Sequence, residues 1–105
     1  MVKAISLVTE VYKITQAFPT TGIYALTSQI RRCAISIPGN KAEGYGRNST
    51  ADYKRFLQIA VGSLLELQTQ IETAFNLNYI SKNIFDNFFE SQKSSTECQY
   101  LLLKK

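Results

Sequence analysis

The stretch from Ser49 to Asn76 constrains the fold most, because it lacks proline and repeats apolar residues at helical spacing over about seven turns. Ser49 and Asp52 mark its start, with a hydroxyl that can cap the first turn and a carboxylate near the positive helix end. A helix this long is seldom stable alone in water, so its apolar stripe requires partner helices. The stripe consists of Tyr53, Phe56, Leu57, Ala60, Leu64, Leu67, Ile71, Ala74 and Phe75.

Two helices are predicted before this stretch. The first covers residues 2–17 and ends at a turn, 18–22, where the proline disfavours helical backbone before it. Its predicted inner face holds Ala4, Leu7, Val8, Val11, Ile14 and Thr15. The second helix is predicted to begin near Thr21, with Ile23, Leu26, Ile30, Cys33, Ala34 and Ile37 on its inner stripe and Arg31 and Arg32 pointing away from it.

Pro38 leaves two interpretations of the second helix. The helix stops near Ser36, or it continues with a kink towards Gly44, and we favour the continuation. The residues from Tyr45 to Asn48 then provide the link to the central helix, since Gly46 and Asn48 tolerate left-handed backbone.

A fourth helix is predicted after a turn around Asn78, with Ser81 as its cap and an end at about Leu102, where Lys104 and Lys105 suit the negative helix terminus. Phe85 and Phe89 fall off its predicted inner line. Because two of the inner positions are serines, we expect the C-terminal half to fray most easily. The predicted inner positions are Ile84, Phe88, Ser91, Ser95, Cys98 and Leu102.

Four helices joined by short turns predict an all-α fold, an up-and-down antiparallel four-helix bundle that forms a single domain over residues 1–105. The composition, 45% hydrophobic and 19% charged, is that of a folded protein rather than a disordered one. The longest uncharged run, 14–30, contains Pro19 and Gly22 and therefore excludes a membrane span. The N-terminus lacks the features of a secretory signal, so a cytoplasmic location is expected.

Little in the sequence supports catalysis. Histidine is absent, which removes the commonest general base and metal ligand, so we expect no enzyme, no metal and no cofactor. Cys33 and Cys98 are too few and too far apart for a disulfide framework or zinc site, and buried thiols are the favoured interpretation. Two alternatives are less favoured. These are nucleotide binding at the GxG of Gly44 and Gly46, and acid–base chemistry at Glu43 or Glu66, for which arginine pairing or backbone capping is preferred.

The back of the central helix carries apolar and small residues, Ile59, Val61, Gly62 and Leu65, outside the inward stripe. Such a patch commonly contacts another protein chain, so Ile59, Gly62 and Leu65 are the candidate oligomer interface. A broad core-facing surface in a small bundle is the alternative.

Basic residues concentrate between the second half of the second helix and the start of the third, in a chain of net charge +4. Arg47 and Arg55 are the leading candidates for phosphate contacts, with pairing to Glu43 or Glu66 as the competing role. Tyr45 and Tyr53 could stack on unpaired bases, although packing is favoured for Tyr53. A solvated face with no partner is the alternative for this run. The candidate nucleic-acid-binding residues are Arg31, Arg32, Arg47, Lys54 and Arg55, with Lys41 in the same run.

Residues 36–47 and 53–70, together with Phe18-Pro19 and Gln29-Ile30-Arg31-Arg32, resemble the four-helix-bundle proteins encoded in intervening sequences of bacterial 23S ribosomal RNA genes. The resemblance covers about residues 2–80. Gly22 and Lys41 depart from it, because an acidic and an apolar residue are expected there. The last helix carries no matching motif.

The resemblance implies a four-helix protomer, a ring-like homopentamer and no established enzymatic activity. A related protein, the accessory variability determinant of diversity-generating retroelements, has the same bundle and binds nucleic acid and a reverse transcriptase through a basic surface. We therefore expect a non-catalytic, oligomeric bundle that binds RNA or DNA. The alternative is a protein-interaction scaffold with no nucleic-acid role.

Overall fold

The computed structural model of the chain describes residues 2–19 and 24–92. Within these ranges the chain forms four helices, and successive helices run in opposite directions. The fold is the predicted all-α, up-and-down antiparallel four-helix bundle, and the described ranges contain no strand. The helices are α1, Val2–Gln16; α2, Tyr24–Tyr45; α3, Thr50–Asn76; and α4, helical over 82–92.

The central helix α3 has the predicted length and both ends are closed by side-chain or backbone hydrogen bonds. Ser49 is its N-cap, and its hydroxyl accepts a hydrogen bond of 3.1 Å from the backbone N–H of Asp52. At the other end Asn78 adopts a positive φ of 65°, a left-handed conformation that asparagine tolerates. The N–H groups of Asn78 and Tyr79 then donate to the carbonyls of Phe75 and Ala74, both at 2.9 Å, in the Schellman arrangement.

The inward stripe of α3 is confirmed, with one correction. Its aliphatic members are buried, and Tyr53, Phe56 and Phe75 are half-buried. Val61, predicted to face outward with Ile59, is instead 5% exposed. Val61 lies one turn from Leu57 and Leu64, and the buried stripe is wide enough to include it. The buried residues are Leu57, Ala60, Val61, Leu64, Leu67, Ile71 and Ala74.

Helix α2 continues through Pro38 to Tyr45, so the predicted continuation is confirmed and an end near Ser36 is wrong. The predicted start of this helix near Thr21, and Ile23, lie outside the described residues. Helix α1 ends one residue earlier than predicted, at Gln16, and its predicted inner face is buried except for half-buried Val8. Phe18 follows α1 and packs against Tyr79 with 5.6 Å between ring centroids, tying the α1–α2 connection to the α3–α4 connection.

The predicted inner face of α4 is partly wrong. Ser81 caps the helix as expected, accepting from the Ile84 N–H at 3.2 Å. Ile84 and Ser91, however, are exposed, whereas Phe88 is fully buried. The inner side instead presents Phe85, Phe88, Phe89 and Gln92. The reason is aromatic packing. The Phe85 ring stacks on the Phe75 ring with 4.4 Å between centroids, and its centroid lies 4.7 Å from that of the Phe89 ring.

The predictions for Ser95, Cys98, Leu102, Lys104 and Lys105, including fraying of the C-terminal half, fall outside the described residues.

Polar contacts cross the packed surface between α2 and α3. The Cys33 thiol donates to the Ser63 carbonyl at 3.0 Å, and the hydroxyls of Ser36 and Ser63 lie 2.8 Å apart. The Asn40 amide donates to the Ser36 hydroxyl at 3.0 Å and to the Ser36 carbonyl at 2.8 Å. These groups form a polar seam, defined as Cys33, Ser36, Asn40 and Ser63, beside an apolar core. Because sliding the helices would separate these hydrogen-bond partners, the seam favours one register between α2 and α3.

Candidate nucleic-acid interface

The short connection between α2 and α3 brings part of the predicted basic cluster together. We call this region the α2–α3 corner and define it by Tyr45, Arg47, Tyr53, Arg55 and Phe56. The turn is closed by Gly46, whose N–H group donates to the Ala42 carbonyl at 3.3 Å and to the Glu43 carbonyl at 3.2 Å. Gly44 lets the helices approach, because a Cβ there would lie 3.3 Å from both the Phe56 Cβ and the Tyr53 ring. The two glycines therefore have structural roles in a helix end and a turn.

Both leading arginines lie against the same aromatic ring. The Arg47 guanidinium is 4.9 Å from the Phe56 ring centroid, and the Arg55 guanidinium is 4.7 Å from it. Because both positive groups contact one ring, they lie within about 10 Å of each other. Phe56 therefore holds two cations close together at the protein surface, an arrangement suited to neighbouring phosphates of one nucleic-acid strand.

Each of these arginines also has a carboxylate neighbour on its own helix or the adjoining turn. Arg47 pairs with Glu43 at 3.3 Å, which is one of the competing roles proposed from the sequence, and Arg55 lies 4.0 Å from Asp52. All four side chains are substantially exposed. Exposed ion pairs of this kind contribute about 0–1 kcal/mol, so an incoming phosphate can replace the carboxylate at little cost. The carboxylates nevertheless reduce the net positive charge of the corner.

Two tyrosines extend the corner. The rings of Tyr45 and Tyr53 stack with centroids 5.9 Å apart and planes 19° from parallel. Tyr53 is half-buried, in agreement with its favoured packing role, whereas Tyr45 is 61% exposed. The exposed Tyr45 ring gives the corner, which also holds Arg47 and Arg55, a flat aromatic surface of the kind on which proteins stack unpaired bases.

The other predicted basic residues occupy different surroundings. Arg31 and Arg32 lie about 20 Å from the corner along α2, because 14 residues at 1.5 Å each separate Arg31 from Tyr45. Arg31 contacts α1, donating from Nε to the Thr15 hydroxyl at 2.8 Å and lying 4.6 Å from the Tyr12 ring centroid. The structure therefore splits the predicted cluster in two. Lys54 is half-buried near the corner, and burial lowers the pKa of half-buried Lys41.

The candidate oligomer residues lie on the exposed side of α3. Ile59 is 44% exposed and Leu65 is 37% exposed, and Gly62 is exposed between them. A Cβ added at Gly62 would meet nothing within 4 Å. Packing within the protomer therefore does not require this glycine. A glycine inside a helix also lowers helix stability by about 1 kcal/mol relative to alanine.

Of the two carboxylates considered for acid–base chemistry, Glu43 has the predicted arginine partner. Glu43 pairs with Arg47, whereas Glu66 is exposed and its charge is one cause of the raised pKa of Cys33. Burial first and the Glu66 charge second raise the pKa of the Cys33 thiol to about 11, outweighing a hydrogen bond from the Leu67 backbone. The thiol is therefore protonated at neutral pH and is a poor nucleophile. The described residues contain no group of three or more potential metal-ligating side chains.

Sequence reasoning missed the contact between Arg31 and α1. Periodicity correctly places Thr15 on the buried face of α1, and a hydroxyl at such a position requires a hydrogen-bond partner. The buried hydroxyl therefore signals that a hydrogen-bond partner exists, but the periodicity of α1 does not identify which residue of another helix provides it. In the described part of the chain, no helix is long and apolar enough to cross a membrane.

Comparison with known proteins places the chain in a family. The family model for the 23S rRNA-intervening sequence protein matches residues 1–98. A similar solved structure, a protein of unknown function from the S23 ribosomal protein family of Bacteroides thetaiotaomicron, superimposes with a TM-score of 0.89. The match covers 98% of this chain and 96% of that one at 18% identity, so it supports the fold alone. No curated protein matches the chain, and neither matching description states an enzymatic activity. The chain belongs to the 23S rRNA-intervening sequence protein family, as the motifs in residues 36–70 indicated.

Proposed function

We propose that the protein is a non-catalytic, oligomeric helical bundle that binds RNA or DNA through the α2–α3 corner. The observation that carries this proposal is the placement of the Arg47 and Arg55 guanidiniums against Phe56, in the same corner as the exposed Tyr45. The arginines supply phosphate contacts and the tyrosine supplies a stacking surface. This combination favours single strands or loops, whose bases are accessible for stacking, over duplexes.

Recognition at this site is mainly electrostatic. The arginines of the corner would bind phosphates, and phosphate contacts carry no sequence information. Affinity therefore falls steeply with salt and depends weakly on sequence. Arg31 and Arg32 are secondary candidates because they lie about 20 Å along α2 from the corner. Lys54 is also a secondary candidate, because its side chain is half-buried.

Assembly would strengthen weak contacts. We propose a homo-oligomer that meets through Ile59, Gly62 and Leu65, with the pentamer implied by the family resemblance as the expected state. Several corners on one assembly would bind one strand with an avidity that a single corner lacks. Light scattering coupled to size exclusion should then give about five times the chain mass of 11.9 kDa, whereas a constant mass near one chain would contradict assembly.

The nucleic-acid proposal is tested by titrating single-stranded RNA, single-stranded DNA and duplexes of the same length at low and near-physiological salt. The variant is Arg47→Gln with Arg55→Gln, and the matched control is Lys13→Gln with Lys82→Gln, which removes the same charge at two positions outside the corner. The corner variant should bind at least about tenfold more weakly, and its salt slope should fall by about 0.7 for each phosphate that the protein no longer binds. The control should bind like the wild type.

Two results would overturn the nucleic-acid proposal. One is no binding by the wild type at low salt, and the other is equally weakened binding in the corner variant and its control. Either result, obtained with a folded and assembled protein, favours the protein-interaction scaffold. That alternative rests on one observation, the exposed apolar side of α3 at Ile59 and Leu65.

A third variant, Tyr45→Ala, should weaken single-strand binding more than duplex binding if stacking contributes.

A further inference from the structure

A groove lies on the outer surface between α1 and α2, away from the α2–α3 corner. Its volume is about 230 Å³, below the 300–1,000 Å³ typical of drug-sized ligand pockets. A groove of this size has room for a phosphate group with a small attached moiety. It is lined by Tyr12, Thr27, Ser28, Arg31, Arg32 and Ile35.

Arg31 is held in a fixed orientation in this groove. Its Nε donates to the Thr15 hydroxyl at 2.8 Å, and its guanidinium lies 4.6 Å from the centroid of the Tyr12 ring. Thr15 is itself fixed, because it is 3% exposed and its hydroxyl donates to the Val11 carbonyl at 2.9 Å. A neutral hydroxyl and an aromatic ring therefore position this cation, and its two terminal nitrogens are not used in these contacts.

Arg31 differs in this respect from the corner arginines. The ion pairs among the described residues join Arg47 to Glu43 and Arg55 to Asp52, and neither includes Arg31 or Arg32. The positive charge in the groove is thus not matched by a carboxylate at pairing distance within the described ranges. A half-buried, oriented guanidinium without an anionic partner favours an oxyanion ligand, which its planar fork can bind through two parallel hydrogen bonds.

The remaining lining residues complete a site for a phosphate ester. Thr27 and Ser28 lie one helical turn before Arg31 and Arg32, so their hydroxyls and the arginines share a face of α2. Hydroxyl groups donate hydrogen bonds to phosphate oxygens. Tyr12 and Ile35 supply apolar walls for a ring attached to the phosphate.

We propose that this groove binds the phosphate group of a nucleotide, with Arg31 as the principal ligand and Arg32 and the hydroxyls as additional contacts. The phosphate belongs either to a free mononucleotide or to the end of a nucleic-acid strand. The site lies about 20 Å along α2 from the corner and does not depend on strand binding there. Its failure and the failure of the proposed function are therefore separate results.

Calorimetric titration of the full chain tests the proposal with inorganic phosphate, AMP, adenosine, and a short RNA with and without a 5′-phosphate. Either AMP or the RNA 5′-phosphate should bind in a way that depends on Arg31, and adenosine should not bind. Arg31→Lys keeps the charge but removes the planar fork, so it should weaken AMP binding roughly tenfold. Lys82→Gln removes an exposed positive charge outside both the groove and the corner and serves as the matched control, with AMP affinity unchanged.

The two phosphate sources give different patterns. Binding of AMP or inorganic phosphate with dependence on Arg31 identifies a free ligand. Binding that requires the RNA 5′-phosphate and Arg31, without AMP binding, identifies a strand end. Arg32→Gln provides a second test if thermal denaturation shows that Arg31→Lys does not fold. The proposal is overturned if no phosphorylated probe shows binding that depends on Arg31, if adenosine binds as well as AMP, or if Lys82→Gln weakens binding as much as the groove variants.

Discussion

The two sides of α3 place the same kinds of residue in opposite environments. Leu64 and Leu65 are neighbours in the chain, yet Leu64 is 1% exposed and Leu65 is 37% exposed. Leu64 belongs to the cluster of buried side chains that joins α1, α2, α3 and α4, whereas Leu65 lies beside the open Gly62. The energetic role of a leucine is thus set by its angular position on the helix. Packing within one protomer explains the inner side but not the outer one.

The largest effect is expected on the inner side. Leu64→Ala deletes buried methyl groups and leaves a cavity, so it should lower the free energy of unfolding by about 2–5 kcal/mol. Leu65→Ala is the matched control and should cost less than about 1 kcal/mol within the protomer, because part of the side chain already contacts water. Chemical denaturation measures both variants. A decrease below about half a kcal/mol for Leu64→Ala would place Leu64 outside the core.

The next effect concerns the outer side. Gly62→Arg should dissociate an assembly whose chains meet at Gly62, because the interface would have to desolvate an arginine. Gly39→Arg is the matched control, since a Cβ at Gly39 on α2 also meets nothing within 4 Å. Light scattering should show a lower mass for the Gly62 variant alone. The same mass for both variants and the wild type would remove Gly62 from the interface.

The smallest effect is expected from a substitution at Gly62 that changes the stability of the protomer and its assembly in different ways. Gly62→Ala should stabilise the helix of an isolated protomer by up to about 1 kcal/mol, because alanine loses less backbone entropy and open space surrounds the site. If another chain approaches the glycine closely, the added methyl should also weaken assembly. Unfolding and mass measured over a range of concentrations separate these effects. Greater stability with unchanged assembly would show that no close approach occurs at Gly62.

The contrast between α3 and α4 shows how much of the fold the sequence could predict. In α3, nine stripe positions over about six turns repeat one pattern, and an error at a single residue such as Val61 leaves the face unchanged. In α4, two patterns share Phe88, one through Ile84 and Ser91 and one through Phe85 and Gln92. Periodicity alone does not choose between them. The choice is made by the stacking of Phe85 on Phe75, a contact between helices.

The candidate site, like the fold, could be predicted from the sequence only in part. The proximity of Arg47 to Arg55 could be predicted, because a short turn joins the ends of α2 and α3. The distance from these residues to Arg31 follows from helix geometry once α2 is known to pass through Pro38. The attachment of Arg31 to Thr15 and Tyr12 could not be predicted, since it depends on how α1 is rotated against α2.

The polar seam between α2 and α3 also distinguishes the native pairing from shifted pairings of the same helices. An apolar stripe repeats about every turn, so moving α3 by one turn, about 5.4 Å, would return similar side chains to similar places. The 2.8 Å contact between the Ser36 and Ser63 hydroxyls and the 3.0 Å contact from Cys33 to Ser63 have no equivalent after such a shift. Competing packings would therefore leave hydroxyl groups dehydrated and unpaired. A few weak polar contacts thus lower the number of competing compact states, although their contribution to total stability is small.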